Sequence, residues 1–237
     1  MKFRLLFPMV IGIGLLLLNC EDKQTSKKTD TTIAKDSTVT QTKVTPKKKQ
    51  EIDHPKLTDA NAMEFFLEYE KENKENKVRI TTDFGIIEIK LYDKTKFHRA
   101  NFVYLTKRNY FDGTQFYRVV KNFVIQGGSS DDYNIAKRRQ NIGHYLLPPD
   151  TKRGYTHKRG AVSMPSSEIE NAYKLASPFQ FFIIQREGGA HYLDGEYTVF
   201  GEVTKGMDVV DQINTVKTDE GDWPLHNVYI RKVELIE

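Results

Sequence analysis

The sequence predicts a mainly β domain, an antiparallel barrel or sandwich flanked by one or two helices, and three observations carry that prediction. Ile87, Ile89 and Leu91 alternate with Glu88 and Lys90, the period of two that turns one face of a strand to a core. Five further short apolar or β-branched runs follow between residues 115 and 236, with glycine in many of the turns between them. Segments with helical spacing are few.

In chain order, "LTDANAMEFFLEYEKENKENK" places Ala62, Phe65, Phe66 and Tyr69 at helical spacing, with Thr58 or Asp59 as its cap. The helix either packs on the domain or extends a tether, and its dense Glu and Lys content favours a solvated outer face. "VRITTDFGIIEIKLY" reads as strand, turn, strand, with Asp83-Phe84-Gly85 turning. "KFHRANFVYLTKRNYFDG" puts Ala100, Val103 and Tyr104 on one helical stripe, with Phe102 and Leu105 beside it and Asn109 and Gly113 bracketing its end. Residues 115–128 read for the most part as one strand, closed by two glycines. Residues 129–159 are polar and basic, contain Pro148-Pro149, and read as mostly loop. "GAVSM", "QFFIIQ", "YTVFGEVT" and "VYIRKVELI" are four more strands, with a helix, "GMDVVDQIN", before the last.

The 237 residues suffice for one domain with extensions. A hydrophobic content of 38% is low for a globule, but the deficit is local: residues 21–56 are almost bare of large apolar side chains, while 78–236 are rich in them. That leaves a core-forming segment of roughly 160 residues, an ordinary domain size. Much of the excess behind the net charge of +4 sits in Lys-rich stretches of 21–56. No basic face with interleaved aromatics stands out, so no nucleic-acid partner is expected. No repeat at solenoid periods is found.

Residues 1–19 read as a signal peptide: Lys2 and Arg4, then an apolar run from Leu5 to Leu18, shorter than the ~20 residues a spanning helix needs. An uncleaved anchor is the alternative. Cys20 is the one cysteine, so no internal disulfide forms. Leu17, Leu18 and Cys20 resemble the lipobox of bacterial lipoproteins, with Asn19 in place of the usual small residue. The resemblance implies acylation of Cys20 and membrane anchoring; the alternative is a leftover free thiol. Residues 20–56 then form a disordered tether, 57–76 a helical extension, and 77–237 the folded domain.

Two long polar side chains, Arg118 and Gln126, interrupt the greasy run "QFYRVVKNFVIQGG". On a regular strand Arg118 and Val120 share a face, as do Val124 and Gln126. Read alone, Arg118 is an ordinary strand arginine paired with a glutamate at the solvent face. The usual reactive constellations are missing. His98, His144, His157, His191 and His226 are scattered without ligand spacing, so each reads as a surface or supporting residue and no metal is expected. "SMPSS" is no nucleophile elbow and no phosphate loop is present.

Three blocks in order, "FYRVVKNFVIQGG", "SPFQFFII" and "YLDGEYTVFGEVTKGMDVVDQI", resemble the signature segments of the cyclophilin family over about residues 77–236. The resemblance implies a closed eight-stranded antiparallel barrel with two capping helices, to which this chain adds an N-terminal helix. It implies catalysis of X–Pro cis/trans isomerisation without a cofactor. Rotation about a peptide bond meets a barrier of ~18–20 kcal/mol, because the C–N bond has partial double-bond character. No bond breaks, so the enzyme needs only to bind the twisted amide better than either planar form.

By the same resemblance, Arg118 faces the substrate proline's carbonyl and nitrogen. Gln126 holds the arginine and bonds substrate backbone, and Phe123 and Val124 line the proline pocket. Gln180 contacts substrate, and Phe182 and Leu193 are pocket-lining, though "QFFII" equally reads as a buried strand. Pro165 and Ser166 occupy the segment whose main chain binds substrate, where the family often has Ala-Asn, and Pro165 removes one N–H. Tyr192 stands where eukaryotic members carry tryptophan, a change implying weaker cyclosporin binding. Tyr197 stands where they carry histidine, as in bacterial members. Trp223 reads as satellite core in a late loop.

The expected function is therefore a monomeric prolyl isomerase, lipid-anchored at a bacterial cell envelope on the periplasmic or outer face. It would act on proline-containing unfolded or exported polypeptides. A cyclophilin-fold module that binds proline segments with little turnover is the alternative, and a purely structural envelope lipoprotein is a third.

Overall fold

The structure is a computed structural model and describes residues 54–166 and 171–237. The expected signal peptide, Cys20 and the expected tether as far as residue 53 lie outside the described residues. Among the described residues, ten strands and four helices follow one another: β1 (Leu57–Thr58), α1 (Ala62–Glu72), β2 (Lys77–Thr82), β3 (Gly85–Leu91), α2 (Lys96–Lys107), β4 (Gln115–Val120), β5 (Val124–Ser129), α3 (Tyr133–Ile142), β6 (Gly143–His144), β7 (Ala161–Met164), β8 (Phe181–Ile184), β9 (Thr198–Lys205), α4 (Met207–Asn214) and β10 (Ile230–Leu235).

Eight strands form one antiparallel sheet in the order β10-β2-β3-β9-β7-β8-β5-β4. Its two edges curl together. Gln115 bridges Tyr229, the Phe116 N–H donates to the Val228 carbonyl at 2.8 Å, and Ile230 N–H donates to Thr114 O at 2.8 Å. The sheet is thus a nearly closed barrel, and the edge groups that would invite foreign strands are largely paired. The alternation read from the sequence explains the interior: Ile80, Ile87, Ile89, Leu91, Ile125, Val162 and Ile183 are all buried in it. Helix α2 adds Phe102, whose ring stacks on Phe111 and meets Phe181 and Phe200. Helix α4 adds Val209, Val210 and Ile213.

Helix α1 docks instead of extending a tether. Phe65, Phe66 and Tyr69 pack edge-on against Tyr104 of α2. The buried Arg99 guanidinium bonds Glu70 at 3.0 Å and the Asn73 carbonyl at 3.1 Å. His54, assigned by composition to the tether, lies against the same rings. Neither Thr58 nor Asp59 caps α1; Asn61 stands at that position. Thr58 is used in a short parallel pairing of β1 with β6, and the Asp59 carboxylate accepts the Leu146 N–H at 2.8 Å.

Within 129–159, read from the sequence as mostly loop, the structure places α3. Asp132 caps it, accepting the N–H groups of Asn134 at 2.6 Å and Ile135 at 3.4 Å. Its apolar stripe is only Ile135 and Ile142, too thin to show as periodicity. Polar anchors hold it: Arg138 donates to the Asp112 carbonyl at 2.6 Å, and Arg139 lies over the Phe179 ring. Gly143 ends it because a Cβ there would meet the Leu57 carbonyl oxygen at 1.9 Å.

Candidate active site

Strands β4 and β5 form a hairpin through Lys121-Asn122-Phe123, with Asn122 in the left-handed region at φ 57°. Asn214, at the end of α4, fixes this turn. Its side-chain oxygen accepts the Asn122 N–H at 2.8 Å, and its amide donates to the carbonyls of Val120 at 2.9 Å and Val124 at 3.2 Å.

A bulge in β4 decides where Arg118 points. Phe116 pairs with Gly127, but Arg118 pairs with Gln126, so the register slips by one across Tyr117. Without the slip, Phe116 and Arg118 would share a face and the guanidinium would enter the barrel. With it, Phe116 and Val119 face the core, while Arg118 turns outward beside Gln126. The two glycines serve the same packing. A Cβ on Gly127 would meet the Phe116 ring at 2.9 Å, and one on Gly128 the Phe179 carbonyl oxygen at 2.4 Å.

Register then extends the row. Gln126 pairs with Phe182 of β8, and Phe182 with Ser163 of β7. Directly opposed residues of antiparallel strands share a face, and adjacent strands lie about 4.8 Å apart. Arg118 and Gln126 therefore border an apolar patch on the outer face of the barrel. Val124, Phe182 and Val199 are buried there, with Val120, Phe123, Leu193 and Tyr197 partly exposed around them. The Tyr197 ring meets Phe182 edge-on at 6.0 Å, and Tyr192, 62% exposed, stacks on Phe123 at 5.9 Å. A 3-10 turn, His191–Leu193, brings Tyr192 and Leu193 to the rim.

His157 supports this patch from behind. Its ring lies parallel to Phe182 at 6.0 Å, Nδ1 is 2.8 Å from Asp194 Oδ1, and Nε2 is 3.1 Å from Ser163 Oγ. Burial pushes the imidazole down from its ordinary value, opposed by the Asp194 carboxylate. Burial also works against the charge of Asp194, yet hydrogen bonds from the His157 N–H and from both neighbouring imidazoles hold its carboxyl below the usual range.

The remaining expected residues fall nearby in sequence register. Pro165 is buried after β7, and its carbonyl accepts the Ser177 N–H at 2.8 Å. Ser166 Oγ accepts from Asn171 at 3.0 Å. Ser166 bridges Ala176, whose own N–H and carbonyl are both exchanged with Leu147. The Ser166 main-chain groups thus face away from Ala176. Gln180, half-exposed, leads into β8.

Two expectations are corrected. Among the described residues Gln126 makes no hydrogen bond to Arg118: its amide donates to the Tyr117 hydroxyl. The partner of Arg118 is Asp222, with Nη2 donating to Oδ2 at 3.0 Å. Trp223 is not satellite core; it is 55% exposed, its ring 5.8 Å from that of Tyr117. Of the residues that support the site, the sequence marks only His157, as a surface or supporting residue; Tyr117 and Asp194 stand inside the motif blocks with no signal that sets them apart, and Asn214 and Asp222 lie outside the blocks.

The family model for "Cyclophilin type peptidyl-prolyl cis-trans isomerase/CLD" matches residues 77–235. The chain belongs to the cyclophilin family. An Arabidopsis thaliana peptidyl-prolyl cis-trans isomerase is 31% identical over 68% of this chain and 94% of its own length. One from Acinetobacter baylyi is 35% identical over 60% of this chain and 73% of its own. The chain spans only 30% of a Rhizopus delemar peptidyl-prolyl cis-trans isomerase-like protein, at 34% identity over 70% of this chain. Among solved structures, a Cryptosporidium parvum cyclophilin-type isomerase superposes with a TM-score of 0.57 at 24% identity, covering 69% of this chain and 98% of that one. That likeness shows the fold. The same parasite protein has also been crystallised in the presence of the dipeptide Ala-Pro. This cyclophilin is thus a member of a family whose relatives are named as isomerases.

Proposed function

We propose that this cyclophilin accelerates X–Pro rotation by seating the proline ring on the outer patch and stabilising the twisted amide with Arg118. On twisting, the proline nitrogen loses conjugation and regains a lone pair, and a fixed cationic donor aimed there lowers the barrier. Val124, Phe182, Leu193 and Tyr197 would hold the ring, with Phe123 and Tyr192 at its rim. Gln126, Gln180 and the Ser166 main chain would hold the substrate backbone. The observation that carries the reading is the outward Arg118 bordering an apolar patch, set there by the bulge at Tyr117. Arginine suits the task because it stays charged and presents several donors in one plane.

The substrates would be proline-containing segments of unfolded or exported polypeptides. Export and anchoring through an acylated Cys20 at a bacterial envelope are supported by residues 1–20 alone. A module that grips proline segments with little turnover is the second reading; Pro165 favours it, because it has no N–H and its carbonyl is already engaged. Isomerisation of a short Ala-Pro peptide by the full chain and by Arg118→Ala separates the two. We expect turnover in the wild type and a loss on the order of a hundredfold in the variant. Peptide binding without turnover in the folded wild type would establish the binding module instead.

A further inference from the structure

We propose that Asp222 positions Arg118 for the reaction, an inference that rests on the Arg118-centred reading above. Strand β4 delivers Arg118 to the outer face, but a long rotatable stem separates its backbone from its guanidinium. Gln126, directly opposite, spends its amide on Tyr117. Among the described residues, the partner that the guanidinium has is Asp222 Oδ2, 3.0 Å from Nη2. A guanidinium carries five N–H donors, so one bond to Asp222 leaves the others for a substrate.

The carboxylate is held more firmly than its exposure suggests. The Asp222 carbonyl accepts the Val119 N–H at 2.8 Å, which ties the loop to β4 just beyond Arg118. The Asp222 N–H donates to the Asp219 carbonyl at 3.2 Å, and Asp219 Oδ1 accepts the N–H groups of Gly221 and Trp223, both at 2.9 Å. The Trp223 ring leans on Tyr117. Asp222 itself sits at φ 65°, a left-handed conformation that side chains other than Gly, Asn and Asp resist.

An ion pair with both partners more than a third exposed adds little to stability. A residue of a type suited to the left-handed backbone, tied into its loop and aiming a carboxylate at one nitrogen of the candidate catalytic group, is better explained by orientation.

The backbone conformation supplies a clean test. Glycine adopts φ 65° without strain, so Asp222→Gly deletes the carboxylate and keeps the main-chain bonds. Asp222→Asn keeps an acceptor oxygen and the conformation but removes the charge. Glu220→Gln removes the same charge from the same loop at an exposed position. The full chain of each, beside wild type and Arg118→Ala, is assayed for kcat and KM on a proline peptide and for Tm. We expect Asp222→Gly to lose roughly tenfold in kcat, with KM and Tm little changed. Asp222→Asn should fall between it and wild type, and Glu220→Gln should match wild type. An unchanged or raised kcat in Asp222→Gly, beside a collapse in Arg118→Ala, overturns this inference alone. A matching loss in Glu220→Gln, or a fall in Tm that parallels the rate, overturns it as well. A full rate in Arg118→Ala overturns the Arg118-centred reading and this inference with it.

Discussion

Asn214 holds the β4–β5 turn from a different element, and its removal has a calculable cost. Asn214→Ala deletes three hydrogen bonds, to Asn122 N–H at 2.8 Å and to the Val120 and Val124 carbonyls at 2.9 and 3.2 Å. Each such bond contributes about 1 kcal/mol net. The Asn122 N–H lies at an exposed turn and regains water, whereas the Val124 carbonyl belongs to a buried residue. Against this, alanine is the better helix former at the end of α4, returning about 0.5 kcal/mol. The expected loss is about 2–3 kcal/mol, read as a lower urea midpoint at unchanged m-value.

The direction of the bonds gives a sharper check. Asn214→Asp has nearly the same shape but turns a donor into an acceptor facing two carbonyls, so it should cost at least as much as alanine. The turn also carries Phe123 and the end of the Arg118 strand, so isomerisation should fall in both variants. An Asn214→Asp protein within about 1 kcal/mol of wild type would refute the reasoning.

Two more predictions concern His98 and Cys20. His98 is fully buried with neither ring nitrogen hydrogen-bonded among the described residues, and burial pushes it down to about 4. The unfolded chain takes up that proton near pH 6.5, so it binds more protons than the native state between about 6.5 and 4. Stability should fall by up to about 3 kcal/mol as pH drops through that window. His157, also held down by burial, adds a change of the same sign. His98→Phe should flatten the urea-midpoint profile there, and an unaltered slope would exclude His98 as its source. For Cys20, radiolabelled palmitate should enter the wild type expressed in a bacterial host and be absent from Cys20→Ser; equal labelling of both would remove the anchoring proposal.

Among the described residues, local pattern determined six of the eight barrel strands and three of the four helices; it read the β4–β5 hairpin as one strand and did not show the two-residue β1 and β6. Ile87, Ile89 and Leu91 needed only a period of two, and Phe65, Phe66 and Tyr69 only helical spacing, because those side chains meet a core whatever lies beyond it. Helix α3 escaped that reading, since its stability comes from Asp132 at its cap and from Arg138 and Arg139 reaching other elements. The motif residues were legible as residue types: Arg118, Gln126, Phe182 and Tyr197 stand in recognisable blocks, and the structure brings them to one face.

What the sequence could not state was direction and partnership. Strict alternation would send Arg118 into the barrel with Phe116; the bulge at Tyr117 turns it out, and a bulge exists only once β5 is paired beside β4. Asp222 lies 104 residues from Arg118, and Asn214 lies 92 and 90 residues from the turn groups it holds. The chain by itself fixed which side chains were present and which faces were greasy, because burial follows local periodicity. Only the closed sheet decided which polar groups meet, because hydrogen bonds a few ångströms long join positions whose separation along the chain carries no signal.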